Sequence, residues 1–303
     1  MPGRLSRRRF VLGGAAMGLL ASCSERDSAA DQVQLVHLFS TDRVIAAGQP
    51  QRIPFAVVNQ SGLDIVDGAE VPVRVLAEGE IIEEVTVAAL VVNHDHVNPD
   101  IDPDHQHADL LRYFPLRVTL PVPGIYDLEV DFGQGRIGRL PVQSFDLDEI
   151  SVVVPGQAMP ALQTPTFTDP AGVSPICTRA PEPCPFHEVT VAEVLDTGSP
   201  LALLVATPAL CRTAYCGPVV ETLIEESGDF PDVTAIHLEL YANADEVAGN
   251  YNDEALNLAS QVEALGLEFE PSLILVDASG IIVDRIDNLF DASELRGALA
   301  ALA

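Results

Sequence analysis

The sequence predicts a multi-domain chain, an all-β sandwich followed by an α/β domain, and three features carry that expectation. Residues 33–145 alternate apolar and polar side chains in short runs broken by Gly and Pro. A Pro-, Thr- and Gly-rich stretch over 154–185 then interrupts all periodicity. Beyond it, helical patterns alternate with short, continuously apolar runs. A length of 303 residues suits two domains, and a composition that is 48% hydrophobic and 20% charged is that of a chain able to build cores.

The first 22 residues hold Arg4, Arg7, Arg8 and Arg9 and no acid, and an apolar stretch from Phe10 to Ala21 follows that is short for a bilayer span. Ser6-Arg7-Arg8-Arg9-Phe10-Val11-Leu12 resembles the twin-arginine export signal, and Leu20-Ala21-Ser22-Cys23 resembles the lipobox of bacterial lipoproteins. These resemblances imply a signal peptide over 1–23, a lipidated Cys23, and a mature protein held by its lipid at the outer face of the cytoplasmic membrane. Residues 24–33 are polar enough to act as a tether. The expected domains are a β-sandwich over 33–150, a Pro-rich linker over 151–185 and an α/β domain over 186–303.

Charge excludes one class of function. Sixteen basic residues, all Arg, stand against 45 acids, for a net charge of −29, so the chain lacks the basic face that nucleic acid requires.

Within the sandwich the runs are VQLVHLF, RIPFAVVN, VPVRVLAE, IIEEVTVAAL, YFPLRVTLPV, GIYDLEVDF and RIGRLPVQSF. Their rhythm is similar to that of small immunoglobulin-like domains. Residues 93–109 interrupt it with NHDHVNPDIDPDHQHAD, which holds His94, His96, His105 and His107. A His-x-His pair in an extended segment puts two imidazoles on one side, and two such pairs could hold zinc or copper if the loop folds back on itself. A solvated polar loop is the plainer expectation.

Export makes the remaining cysteines candidates for pairing. Cys177 and Cys184 bracket the turn-forming TRAPEP, which suggests a small-loop disulfide; a redox or metal-binding pair is the other possibility. His237 falls mid-strand and is expected to be a core histidine. The predicted elements of the last part are a helix over 187–198, a strand over 201–206, a helix over 218–228, a strand over 234–241, a helix over 253–265, a hairpin over 272–287 and a closing helix.

That order, with Cys211-Arg-Thr-Ala-Tyr-Cys216-Gly-Pro218 after the first strand and Glu270-Pro271-Ser272 opening the hairpin, resembles the thioredoxin-like superfamily over residues 186–303. The resemblance implies thiol–disulfide oxidoreductase chemistry with no required cofactor. Cys211 would be the attacking thiolate at a helix N-terminus, Arg212 a supporting cation, Cys216 the resolving thiol and Pro271 a cis proline beside them. The family usually has two residues between its cysteines and this chain has four; a second alignment gives Cys216 the leading place. The spacing is also similar to that of the bacterioferritin-comigratory peroxiredoxins, but the arginine such enzymes use against peroxide is replaced by Glu270-Pro271. The implied partners are extracytoplasmic proteins bearing thiols or disulfides, together with the lipid bilayer through Cys23. A metal-binding or partner-binding lipoprotein with a non-catalytic thioredoxin-like domain is the competing expectation.

Overall fold

The computed structural model describes residues 33–39, 43–59, 63–93, 110–211, 213, 215–247 and 255–303. The signal segment with Cys23, the four histidines of the 93–109 insert and Arg212 lie outside the described residues. The chain is mostly β-sheet, with three four-stranded sheets and few helices among the described residues.

Two of the sheets come from the first half. One has the order β1 (Val33–His37), β2 (Pro50–Asn59), β6 (Leu110–Thr119), β5 (Leu90–Asn93). The other has the order β4 (Glu80–Ala88), β3 (Glu70–Ala77), β7 (Gly124–Asp131), β8 (Ile137–Ser144), and every pairing in both is antiparallel. The sequence alternation becomes two-faced strands: along β8 the residues are exposed and buried in strict turn from Ile137 to Ser144. Leu35, Ile53, Phe55, Phe114 and Leu116 of the first sheet share a buried cluster with Val73, Val75, Leu128, Leu140 and Val142 of the second. Phe55 and Phe114 are register partners and stack with ring centroids 5.1 Å apart.

The third sheet has the order β10 (Thr234–Leu238), β9 (Leu201–Val205), β11 (Ser272–Val276), β12 (Ile282–Asp287). β10 and β9 are parallel, β11 runs antiparallel to β9, and β12 antiparallel to β11. Every residue of β9 and β11 is buried, which explains why LALLV and SLILV are apolar throughout rather than alternating. Among the described residues five helices accompany it: α1 (Val191–Thr197), α2 (Cys216–Ser227), α3 (Ala244–Val247), α4 (Ser260–Leu265) and α5 (Ala292–Ala300). α1 begins at a capping box of Thr190 and Glu193 and stops at Gly198.

The helix expected over 253–265 is confined to its last turns. Asn243 explains this: its Nδ2 donates to the Ala255 carbonyl and its Oδ1 accepts from the Asn257 N–H, drawing the segment into a bridge between Tyr241 and Leu258. The side chain supplies partners that a helix would otherwise have to provide.

The expected linker over 151–185 is a packed strap rather than a spacer. It has no regular structure, yet Val152, Val154, Met159, Leu162, Thr164, Val173, Cys177 and Cys184 are buried along it. Its backbone is paired at Val153 with Leu265, at Gly156 and Gln157 with Ile282, at Met159 with Gly280 and at Ser174 with Ala242. Gly266, at φ +67°, is required where the strap begins, because a Cβ there would sit 1.9 Å from the Ser151 carbonyl oxygen.

Two buried arginines tie the first half to the third sheet. Arg52 of β2 pairs through Nε and Nη2 with the Glu294 carboxylate at 2.6 and 2.8 Å, and donates to the Asp287 and Leu289 carbonyls. Arg285 of β12 pairs with Asp287 and donates to the carbonyls of Val153 in the strap and Val44. The Tyr113 hydroxyl donates to Glu294 and accepts from the Asp291 N–H at the start of α5.

Removing Arg52 would leave the buried Glu294 carboxylate with only the Tyr113 hydroxyl and a looser pair with Arg117 at 3.6 Å, a loss at the lower end of the about 3–5 kcal/mol that breaking a buried ion pair costs. Arg52→Ala is therefore expected to lower the urea midpoint sharply. Arg43→Ala, which breaks a pair with side chains 59% and 43% exposed, should change stability by less than about 1 kcal/mol. Equal effects of the two variants would contradict the arrangement.

Candidate functional site

Four donor side chains converge at the outer edge of the third sheet. β10 is an edge strand, and the strap runs beside it, with the His237 N–H donating to the Phe186 carbonyl at 3.1 Å. His237 is fully buried on this strand, and its Nε2 lies 2.8 Å from the Ala206 carbonyl oxygen. A carbonyl only accepts, so Nε2 carries a proton, and in the neutral ring the lone pair of Nδ1 faces the strap. There it meets Cys184 Sγ at 3.3 Å and Cys177 Sγ at 3.6 Å. His187 brings Nε2 to 3.3 Å from Cys184 Sγ. The two sulfurs and two ring nitrogens all lie within 4.8 Å of one another, and all four residues are buried.

The expected Cys177–Cys184 disulfide is corrected: both cysteines are free. The strap turns so that the Cys184 N–H donates to Cys177 Sγ at 3.3 Å, and the sulfurs face two imidazoles instead of bonding to each other. His237 is likewise no mere core histidine, and His187 was missed as a start-of-helix residue. A signal was present in Cys184-Pro-Phe-His187, a Cys-x2-His step seven residues after Cys177.

The electrostatics of the group favour a negative charge on one of the two sulfurs, Cys177. The hydrogen bond from Cys184, with further ones from His187 and His237, holds the Cys177 thiol well below the ordinary range. The same bond to Cys177, together with burial, pushes the Cys184 thiol up. Burial opposes the charged form of His237, but Cys177, Glu239 and the Ala206 carbonyl outweigh it and raise its pKa. Glu239 accepts from the Thr178 N–H at 2.6 Å and from its hydroxyl at 3.1 Å, and burial pushes its carboxyl up to about 7.

The second cysteine pair lies on the loop between β9 and α2. Cys211 and Cys216 form a disulfide with Cα atoms 5.9 Å apart. Cys216 is the first residue of α2 and is buried; Cys211 precedes the helix and is half-buried. The placement of Cys211 at the helix tip is therefore corrected. Since the helix starts only at Cys216, the bond does not have to span a helical turn, and Pro218 loses nothing because first-turn N–H groups have no helical partner. Cys211 Sγ still receives the N–H of Cys216 at 3.3 Å, and Thr213 Oγ1 lies at 3.3 Å.

Glu270 has a carboxylate oxygen within 4.8 Å of both sulfurs of this pair. The Glu270–Pro271 bond is cis, and Pro271 leads into β11 with its carbonyl accepting from Asn288. Glu270 Oε2 is buried without a hydrogen-bond partner, and burial pushes the carboxyl up to about 8 against the pull of hydrogen bonds with Thr207. Thr178 links the two groups of cysteines: its hydroxyl donates to Glu239 and accepts from the Ala209 N–H on the loop that carries Cys211.

No family model matches the chain, and no curated protein matches it. Two solved structures are similar to parts of it. A chain described as a lipoprotein from Bacillus anthracis is 12% identical over 37% of this chain and 73% of its own, with a TM-score of 0.21. A thioredoxin-like superfamily protein is 13% identical over 50% of this chain and 96% of its own, with a TM-score of 0.31. At such scores the chain's function has to come from its own residues. No helix among the described residues is long and apolar enough to cross a membrane.

A carboxyl that titrates near 8 when folded and near 4.3 when unfolded binds its proton more tightly in the folded chain. Its contribution to stability is thus intact below about pH 4 and is lost as pH rises towards 8. With the disulfide intact, Glu270→Gln should match the parent at pH 4 and exceed its stability by about 4–5 kcal/mol at pH 8, read from urea unfolding across pH. A difference that does not vary with pH would contradict the buried carboxyl.

Proposed function

We propose that this chain is a membrane-anchored, extracytoplasmic thiol–disulfide oxidoreductase whose exchanging bond is Cys211–Cys216. The observation that carries this is the asymmetry of the pair: a half-buried sulfur in front of a helix, bonded to a buried one inside its first turn, with a buried carboxyl beside both. An attacking sulfur must be reachable by a partner, and a resolving one must not compete for it. Further support comes from the order β9, α2, β10, α3, α4, β11, β12, α5, which apart from the four-residue α3 is the order that the resemblance to the thioredoxin-like superfamily implies. The immunoglobulin-like sandwich in front, the twin-arginine signal and the lipid on Cys23 belong to the same proposal, and would hold the redox part outside the membrane.

In the reduced chain, the Cys211 thiolate attacks a partner disulfide, and one partner sulfur leaves as a thiolate. Cys216 then attacks Cys211 Sγ, gives its proton to the Glu270 carboxylate, and expels the second partner sulfur. Two electrons pass to the partner, and the Cys211–Cys216 bond is restored. Run in reverse, the same steps oxidise a partner dithiol, with the protonated Glu270 returning its proton to Cys216 as that sulfur leaves. A carboxyl that titrates near 8 can serve both directions at neutral pH.

A metal-binding lipoprotein without turnover is favoured by one observation, the Cys177, Cys184, His187 and His237 group. The two roles separate experimentally. For exchange, the Cys211–Cys216 potential of the detergent-solubilised full chain is expected between about −120 and −270 mV in glutathione buffers. Cys216→Ser should trap a mixed disulfide on Cys211 that Cys211→Ser does not form. A pair that stays bonded below about −300 mV, or a Cys216→Ser chain that traps nothing, would contradict exchange.

A further inference from the structure

We infer that Cys177, Cys184, His187 and His237 form a zinc site that fastens the strap to the edge of the third sheet.

The distances fit this ion. With Zn–S near 2.3 Å and Zn–N near 2.05 Å, the sulfur-to-nitrogen edge of a tetrahedron is about 3.6 Å. The edges from His237 Nδ1 to Cys177 and Cys184 are 3.6 and 3.3 Å, and that from His187 Nε2 to Cys184 is 3.3 Å. The orientation fits too. His237 gives its Nε2 proton to the Ala206 carbonyl, the second contact that fixes a ligating imidazole and aims its other lone pair at a metal.

Hydrogen bonding alone is a poorer account of this group. Two sulfurs compete for the single lone pair that a neutral His237 offers at Nδ1. A divalent ion on two thiolates and two neutral imidazoles leaves the buried site without net charge, whereas monovalent copper would leave it negative. Four protein ligands close the coordination shell, which suits a structural ion. Binding converts both thiols to thiolates and releases their protons to solvent.

The consequence is mechanical. His237 sits on β10, and Cys177, Cys184 and His187 on the part of the strap that leads into α1, so the ion would fasten that part, which has no regular structure, to the sheet edge. It would also keep these sulfurs from oxidation outside the cytoplasm and out of exchange with Cys211 and Cys216.

The test is metal analysis of the full chain, purified with thiol reductant and offered zinc and copper together, then desalted. About one zinc per chain is expected, retained in the Cys211→Ser/Cys216→Ser double variant and lost in Cys184→Ser. Cobalt in place of zinc should give the visible bands of a tetrahedral ion with thiolate charge transfer. Because Cys184→Ser could fail to fold, His187→Cys provides the second arm: it should keep the ion and strengthen the thiolate band. Absence of bound metal, retention of copper instead, loss of zinc in the Cys211→Ser/Cys216→Ser chain, or a native Cys177–Cys184 bridge would each overturn the assignment.

Discussion

Everything at the candidate site depends on how a segment without helix or strand is held across the third sheet, at Ile282 of β12 near its start and at His237 of β10 near its end. The strap between Ser151 and Thr190 has to satisfy its backbone without a ladder of its own, and it does so with partners that include Leu265, Gly280, Ile282, Ala242 and His237. Glu239 takes two bonds from Thr178, Gln261 donates to the carbonyls of Gln163 and Ala171, and His237 reaches the sulfurs. Buried polar groups of this kind are costly unless each is paired, so the strap's path is narrowly specified. That specification brings Cys177 and Cys184, far from His237 in sequence, to within bonding reach of it.

The two cysteine pairs then divide into different chemistry by environment alone. Cys211 is reachable and lies before a helix, where N–H groups favour a negative sulfur. Cys177 and Cys184 are enclosed, with imidazoles rather than a partner chain in front of them. Thr178 and Ala209 join the two groups through a single hydroxyl, so movement of the loop that carries Cys211 would be felt in the strap. The buried Arg52 and Arg285 contacts fix the first half against the same sheet from its other edge, at β12.

Much of the architecture could be read from periodicity. The alternation in residues 137–144 and the unbroken apolar runs of β9 and β11 state their burial directly, because a strand's side chains alternate between faces and a doubly covered strand has no polar face. Residues 253–265 misled because a helical pattern there yields to bonds from Asn243. Cys177 and Cys184 misled for a related reason: spacing along a chain gives separation but not the direction in which sulfurs point. The site was least legible where it is assembled from distant parts, since nothing local to His237 indicates that its far neighbours are thiols. The start of α2 at Cys216 follows from the turn before it, which the apolar pattern does not encode.

The central claim is that the four described cysteines form one exchanging bond and one enclosed, unbonded pair. Mass-spectrometric mapping of the natively folded full chain, alkylated before and after mild reduction, tests this most directly. The account predicts a Cys211–Cys216 bridge, Cys211 and Cys216 labelled only after reduction, and Cys177 and Cys184 labelled only after unfolding. A bridge between Cys177 and Cys184, or one that crosses between the two pairs, would contradict it.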